Sequence, residues 1–401
     1  MNKALAVILL ATTLDSVGMG LIFPILPELL RELTGSGEIS ALYGVILAGY
    51  AAMTFLFAPI LGVLSDRFGR RPVLLLAMAG AVVDYLIMAF APTLAILIVG
   101  RLVAGITAAT LAVSTAYIAD ITPENQRARR FGYLYACFGL GFILGPAVGG
   151  ALGEVWLRAP FLAAAAFNTL NIVLAFFFLK ESRIGDAQNF AWRQINPFTP
   201  ISWALKLESI RPLLVVYVAV AFIGMSYLTV WVLFSEDQFG WSMSVVGLSL
   251  AGYGFFQAGS QALLTEPITS WLGERRAFLT GLSFEMFALI VLSLAGQGWV
   301  AFALLPLFAL GGIGEPVLQS LLTAKVSEEQ QGQLQGVLTS LASLMAVFGP
   351  LFFAGLYGFV RIDWPGAIWL VVFILYLFVI PVIFMGRASW KPGTGLGDKN
   401  G

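Results

Sequence analysis

Gly62-Val-Leu-Ser-Asp-Arg-Phe-Gly-Arg-Arg-Pro72 is a short charged knot between two long apolar runs. It places Asp66, Arg67, Arg70 and Arg71 within six residues of a chain in which only 11% of residues are charged. Gly62 and Gly69 allow a tight backbone, and Pro72, which has no N–H, suits the first turn of a new helix. So short a turn holds its flanking segments antiparallel. The stretch reads as the connection between two membrane spans.

The composition agrees. Of 401 residues, 59% are hydrophobic, and the mean hydropathy is +0.90. A soluble domain is about half apolar and about a quarter charged, so lipid must surround most of this chain. A net charge of zero gives no support for a nucleic-acid partner. There is no histidine and one cysteine, Cys137, within an apolar run. The usual neutral-pH proton shuttle, most zinc or haem chemistry and any disulfide are therefore not expected, and neither is a bound cofactor. No Gly-rich nucleotide loop with Lys occurs, which argues against self-contained ATP-driven pumping and against an enzyme. The apolar run after Met-Asn-Lys contains Asp15 and continues to Pro27 without a small-residue cleavage site, so it reads as a retained first span.

Spans need roughly 20 apolar residues. Twelve windows qualify: 4–27, 41–63, 72–91, 94–117, 130–152, 159–180, 210–234, 243–265, 276–296, 298–323, 332–357 and 365–386. Numbering the gaps alternately puts 18 of the 22 Lys and Arg on the side of the N-terminus, against Arg31, Arg158 and Arg361 on the other, with Arg101 inside a span. The asymmetry places both termini in the cytoplasm. Gly69 and Gly273, Gly132 and Gly336, and Pro146 and Pro350 are all 204 apart. One offset at three landmarks argues for duplication. The expected architecture is an all-α membrane protein of twelve transmembrane helices in two pseudo-symmetric six-helix bundles. Residues 1–180 form the first bundle, 181–209 a cytoplasmic central loop, 210–386 the second bundle and 387–401 a cytoplasmic tail. Parallel halves of this kind are a transporter plan with the substrate near mid-membrane.

Five charges fall inside spans: Asp15, Asp84, Arg101, Glu285 and Glu315. An ionised side chain at mid-bilayer costs at least ~2.5 kcal/mol on insertion scales, so such residues tend to face a cavity and to be functional. The bland reading is that Asp15 or Asp84 pairs with Arg101 and only fixes packing. Glu285 and Glu315 have no embedded cation in their half to pair with. Burial penalises the ionised form of a carboxyl, and without histidine such a Glu is the best candidate proton carrier. Gly141-Phe-Ile-Leu-Gly-Pro-Ala-Val-Gly-Gly150 puts five small or helix-bending residues in mid-span. That is a surface for close helix approach, with Gly141, Gly145, Pro146, Gly149 and Gly150 as its packing residues. Trp231, close to Glu236 and Asp237, reads as an interfacial belt residue.

These stretches carry a family resemblance. Gly62 to Pro72 resembles the loop motif between spans 2 and 3 of the major facilitator superfamily, and Gly141 to Gly150 resembles the span 5 antiporter motif of its drug–proton exchangers. Leu14-Asp15-Ser-Val-Gly-Met-Gly-Leu-Ile-Phe-Pro24 is similar to their first span. More narrowly, Asp84-Tyr85, Gly100-Arg101-Leu-Val-Ala-Gly-Ile-Thr107, Val230-Trp-Val-Leu-Phe234 and Gly240-Trp241 resemble the twelve-span tetracycline exporters of Gram-negative bacteria. The resemblance runs from span 1 to span 11.

It implies the major facilitator fold in the inner (plasma) membrane. It further implies export, by alternating access, of tetracycline chelated to a divalent cation such as magnesium, in exchange for protons. The expected partners are the drug, protons and the bilayer, with the chain acting as a monomer. Proton coupling falls on Glu285, Asp15, Asp84 and Glu315. Drug contacts fall on Asp15, Thr54, Asp84, Arg101, Gln257, Gln261, Glu285 and Glu315. Gating falls on Asp66, Arg70, Arg71 and Asp120, with Asp66 expected to cap the cytoplasmic end of span 11 and Arg70 to pair with Asp120. The chain departs from the pattern at four places. Glu285 stands where the exporters usually have Asp, and Gln257 in Tyr253-Gly-Phe-Phe-Gln257 stands where they have His. Thr54 stands where they usually have Gln, and Glu315 where they have an apolar residue. These departures keep open an alternative, a broader multidrug:proton antiporter for lipophilic or cationic drugs. An importer or sensor on the same fold is the third reading, against which the Gly141 to Gly150 stretch argues.

Overall fold

The computed structural model describes residues 3–182, 198–204, 207–208 and 210–385. The expected tail 387–401 and most of the expected central loop, with Arg183, Asp186, Arg193 and Lys206, lie outside the described residues. In chain order the helices are α1 (Lys3–Ile22), α2 (Leu26–Thr34), α3 (Ser40–Phe68), α4 (Arg70–Phe90), α5 (Leu94–Thr107), α6 (Thr110–Asp120), α7 (Glu124–Val155) and α8 (Ala159–Phe178). They continue with α9 (Phe198–Ala204), α10 (Arg211–Phe239), α11 (Met243–Leu263), α12 (Thr265–Leu272), α13 (Glu274–Ser293), α14 (Gly298–Gly311), α15 (Gly314–Thr323), α16 (Glu328–Val360) and α17 (Ala367–Met385).

Helix is what an apolar solvent demands, because every backbone N–H and C=O must find its partner within the segment. Among the described residues, eleven helical stretches are long and apolar enough to cross a membrane, counting α5 with α6 and α14 with α15 as one stretch each. The twelfth expected window is α11, which is long enough but less apolar because Gln257, Gln261 and several Gly and Ser interrupt it.

Several window boundaries need correction. The first window, 4–27, is not one helix. α1 ends at Ile22 and α2 restarts at Leu26, because Pro24 and Pro27 each remove a backbone donor. α2 then stops at Gly35, whose φ of 65° only glycine adopts cheaply. Span 4 breaks between α5 and α6 at Ala108 and Ala109, and span 10 breaks between α14 and α15 at Gly312 and Ile313. The eighth window, 243–265, ends at Leu263, before the short α12.

The opening knot is as tight as its glycines predict. Only Gly69 separates α3 from α4, at φ 102°, and only Gly273 separates α12 from α13, at φ 76°. Both conformations are open to glycine and strained for other residues.

Helix packing follows the small residues. α7 is wedged between α1 and α11, and α3 packs along α16. On α7, Gly141, Gly145 and Gly149 face Thr13 to Val17, Gly20 and Leu21 of α1, while Gly150 faces Met243 of α11. A Cβ on Gly247 would strike the Pro146 carbonyl, and a Cβ on Gly44 would strike the Pro350 carbonyl. Gly44 and Gly247 are 203 apart, and the two prolines are 204 apart. The same crossing therefore occurs twice, at α11 on α7 and at α3 on α16. A Gly opposite a Pro lets the backbones touch, because no Cβ stands between the two helices there.

Trp231 is not a belt residue. It is 5% exposed, donates through Nε1 to Ser249 Oγ at 2.9 Å, and packs edge-on against Trp241 and Trp369. Its ring has a buried acceptor to satisfy, which a pattern of aromatics near charges does not reveal.

The crossings yield a first prediction. Gly247→Ala and Gly44→Ala should each destabilise the purified protein by about 1–3 kcal/mol, as overpacking does. Gly259→Ala, in open space, should stay within about 0.5 kcal/mol. Thermal melts of the three variants check this, and equal melts would refute the crossing.

Candidate transport site

A cavity of about 880 Å³ lies inside the bundle. It reaches from Leu26 and Tyr43, near the end that carries Arg31 and Arg361, to Ala58, Pro59 and Gly336, toward the Arg-rich end that carries Arg70. The first half of the chain lines most of it. Asp15 comes from α1, Tyr50 and Thr54 from α3, Asp84 and Tyr85 from α4, and Arg101 from α5. The second half adds Gly336, Thr339, Ser340 and Ser343 of α16. Four expected residues (Asp15, Thr54, Asp84 and Arg101) thus share one cavity wall.

Asp84 and Arg101 form a buried ion pair, with Arg101 Nη1 2.7 Å from Asp84 Oδ2. They are 2% and 7% exposed. The guanidinium lies 4.6 Å from the centroid of the Tyr50 ring and also reaches Met88 Sδ. Asp84 Oδ1 and Arg101 Nε accept or donate no hydrogen bond within the protein. The pair is therefore neutralised as a unit, and these two unpartnered atoms are buried rather than presented to the cavity. Removing one partner of such a pair costs about 3–5 kcal/mol, since the other charge stays buried alone. Asp15 is 5% exposed and lines the cavity together with Thr110 of α6. Thr54 donates to the Tyr50 carbonyl at 3.0 Å.

The remaining expected residues form a second cluster. Glu285 of α13 does not line the cavity in this form. Tyr227 of α10 and Tyr376 of α17 each donate to its Oε1 at 2.8 Å, and its Cβ lies against Gly311. Gln257 of α11 packs on Gly312, the next residue of the same helix break. Glu315 follows in the first turn of α15, within electrostatic reach of Tyr253 and Tyr217. Gln261 is exposed one turn beyond Gln257. Two tyrosine donors can hold a carboxylate where no cation is present. Tyr227 and Tyr376 carried no charge to single them out in the sequence and were not expected.

At the Arg-rich end, Arg70 ties α3, α4 and α6 together. Its guanidinium meets Asp66 at 2.7 Å, Asp120 at 3.1 Å and Ser65 Oγ at 2.6 Å. The expected pair with Asp120 is present, and Asp66 in this form turns to Arg70. Glu181, also unexpected, accepts from the backbone N–H of Arg70 at 2.8 Å and of Arg71 at 3.2 Å. A carboxylate there satisfies the orphan donors of α4 and complements its dipole. Any side chain on Gly69 would displace Glu181. Arg71 itself donates to the Phe176 carbonyl at 2.6 Å.

At the opposite end, polar bridges join the two halves of the chain. Arg31 meets Glu236 at 2.7 Å. Arg361 meets both Glu38 and Asp237 at 2.7 Å, and Tyr357 donates to Asp237 at 2.7 Å. The Ser244 N–H donates to Glu154 Oε1 at 3.0 Å, capping α11 from α7. Arg158 pairs with Glu32 within the first half. The three basic residues that break the charge asymmetry are thus the ones that tie this end together. Their scarcity on that side was the available signal.

A helical bundle with a central cavity, buried charges on its wall and bridges closing one end defines a membrane transporter. The chain belongs to the Major Facilitator Superfamily, whose model matches residues 8–314 and 213–399. It is 46% identical to the class C tetracycline resistance protein of Escherichia coli over 98% of this chain and 99% of the relative. It is 45% identical to the class G protein of Vibrio anguillarum over 96% and 98%. Among solved structures it is similar in fold to a bacterial homologue of the human lysosomal transporter Spinster in its inward-facing, unoccupied conformation, with a TM-score of 0.77, 16% identity and coverage of 96% and 97%. It is also similar to the human organic anion transporter MFSD10, with a TM-score of 0.70, 24% identity and coverage of 95% and 99%. The relatives are membrane transporters.

The bridges give the second prediction. Burial would raise the Glu38 carboxyl, but the Ser40 N–H and the Arg361 guanidinium outweigh it and hold it below its ordinary value. A lowered folded value means the contribution is present above the usual carboxylate range of about 4.3 and lost only as pH falls through the lowered value. The Glu38–Arg361 bridge should therefore persist from pH 7.5 to 5.5. Arg31→Ala combined with Arg361→Ala should open this end instead. In a background with Cys137→Ser, a cysteine at Leu26 should react with a charged thiol reagent faster in the double variant, and equally slowly at both pH values without it.

Proposed function

We propose that this chain is a proton-coupled exporter of tetracycline, carried as a chelate with a divalent cation such as magnesium. The observation that carries the reading is the cavity wall of Asp15, Thr54, Asp84 and Arg101, in a chain 46% identical over nearly its full length to a tetracycline resistance protein. The protein sits in the inner membrane as a monomer with both termini in the cytoplasm. The Arg-rich end is then cytoplasmic, and the form described here is open toward the cytoplasm and closed outside by the Arg31 and Arg361 bridges. Two six-helix units, 1–180 and 210–386, rock about the Gly–Pro crossings.

In this cycle the chelate enters from the cytoplasm. Asp15 offers negative charge to a cation-bearing drug, and the Asp84–Arg101 pair stands beside it on the same cavity wall. Glu285 carries the proton. Its two tyrosine donors stabilise the ionised form, and protonation removes a charge that the second half otherwise holds unpaired by any cation. Coupling requires the two facing states to differ in drug affinity. An inward proton gains about 2.3 kcal/mol per 100 mV, enough for more than tenfold accumulation. Arg70, with Asp66 and Asp120, keeps the first unit rigid in this form. Asp66 passes to the end of span 11 when the cytoplasmic side closes.

The experiment is uptake of tetracycline into everted vesicles. Magnesium should be required, a pH gradient should drive it, and Glu285→Gln should abolish the driven component. Driven uptake that survives Glu285→Gln would refute the proton role. A second reading, a broader multidrug antiporter for lipophilic or cationic drugs, is favoured by one observation: Glu315 is exposed in mid-span on α15, a bare carboxylate for a metal-free cation. Resistance of an efflux-deficient host to quaternary ammonium dyes but not to tetracycline would select that reading.

A further inference from the structure

The two tyrosines that hold Glu285 are not equivalent. Tyr227 and Tyr376 each donate to its Oε1 at 2.8 Å. Tyr376 lies on α17, which carries none of the residues that bridge the outer end. Tyr227 lies on α10, and the same helix carries Glu236 and Asp237. Glu236 meets Arg31 of the first half at 2.7 Å. Asp237 meets Arg361 at 2.7 Å and accepts from Tyr357 at 2.7 Å, and Arg361 in turn reaches Glu38 of the first half. Asp237 follows Tyr227 by ten residues, about 15 Å of helix.

The helix between these points is built to move as one body. Met225 to Phe239 contains no Gly or Pro, the usual sites of a kink. Thr229 to Ser235 are all buried. Tyr227, Trp231 and Phe234 recur at helical spacing on one face of α10. All three pack on the fully buried ring of Trp369, with centroids at 5.6, 6.1 and 5.3 Å. Trp231 Nε1 donates to Ser249 Oγ at 2.9 Å, which fixes the rotation of α10 about its axis. A second rung, from Gln238 Nε2 to the Ala295 carbonyl at 3.0 Å, ties α10 to the segment just after α13. One hydrogen bond and one straight rod therefore join Glu285 to the outer bridges. Among the described residues no cation faces Glu285. Besides the two tyrosines, α11 brings Tyr253 within electrostatic reach, α14 presents the Gly311 backbone, and α15 carries Glu315 within reach of the same Tyr253.

We propose that Tyr227 is a positioning residue that ties the outer bridges to Glu285 through α10, so that the ionised carboxylate holds the outer end shut. The proposal rests on the proton role of Glu285 given above. A hydrogen bond to an ionised acceptor is about twice as strong as one to a neutral acceptor. Neutralising Glu285 weakens both tyrosine bonds, and only the change at Tyr227 is carried to Glu236 and Asp237. An exchanger needs such a tie. The ionised carrier without cargo must not open outward, because it would then cross without exchange.

The test is thiol labelling of Leu26→Cys in a Cys137→Ser background, in intact cells at pH 7.5 without drug, with a charged reagent added from outside. Leu26 is buried and lines the outer reach of the cavity. Tyr227→Phe and Tyr376→Phe each remove one oxygen and one bond to Glu285. Tyr227→Phe should speed labelling at least fivefold, as should Glu285→Gln, whereas Tyr376→Phe should stay within twofold of the parent. The double variant Tyr227→Phe with Glu285→Gln should label no faster than the faster single, since both cut the same tie. A Tyr227→Phe rate within twofold of the parent, a Tyr376→Phe rate equal to that of Tyr227→Phe, or additive effects in the double variant would overturn the proposal. Driven uptake is read separately. If Glu285→Gln abolishes it while Tyr227→Phe leaves labelling unchanged, the tie is overturned and the proton role stands. If driven uptake survives Glu285→Gln while both variants speed labelling, the tie is supported and the proton role is refuted.

Discussion

A charge without water must have a partner, and this protein is arranged around that requirement. Asp84 and Arg101 satisfy it as an ion pair on neighbouring helices of one half. Glu285 satisfies it differently, through two tyrosine hydroxyls drawn from α10 and α17. The contrast has a consequence for function. An ion pair is neutral in both partners' ordinary states and resists titration, whereas a carboxyl held only by neutral donors can gain a proton without leaving a cation stranded. One half thus holds its acid in an ion pair, and the other holds its acid through neutral hydroxyls.

The second requirement is that the halves touch closely without fusing. Glycine opposite proline does this at α7 with α11 and again at α3 with α16. Neither contact depends on interlocking side chains, so a change of angle at these crossings need not unpack a core. Ion pairs bridge the two halves at one end. Arg31, Arg361 and the Glu154 cap hold one end shut, while Arg70 and Glu181 brace the first half at the other. Exposed or partly exposed pairs of this sort contribute little individually.

Much of this was legible before any coordinates. Composition and Lys/Arg placement sufficed for the span pattern, because lipid tolerates so few solutions. The 204-residue offset pointed at Pro146 and Pro350, and the embedded charges offered Arg101 two acids, Asp15 and Asp84, of which the fold pairs it with Asp84. What could not be read were partners without charge. Tyr227 and Tyr376 lie 149 residues apart and become a pair only through Glu285. Trp231 resembled a belt residue because the pattern near Glu236 fits both a surface and a buried cluster. Helix breaks at Pro24 and at Gly312 were hidden inside windows read as single spans. Glu181 sat in a polar run that looked like loop, yet it caps α4.

The central claim is that one cavity is exposed alternately at two ends. Paired spin labels at Ser36 and Ile362 report the end closed here, and labels at Asn125 and Trp271 report the Arg-rich end. The account predicts that raising the proton concentration, or adding tetracycline with magnesium, moves the two distance distributions in opposite directions, one end widening by several ångströms as the other narrows. Distances that stay fixed, or that widen together, would contradict it.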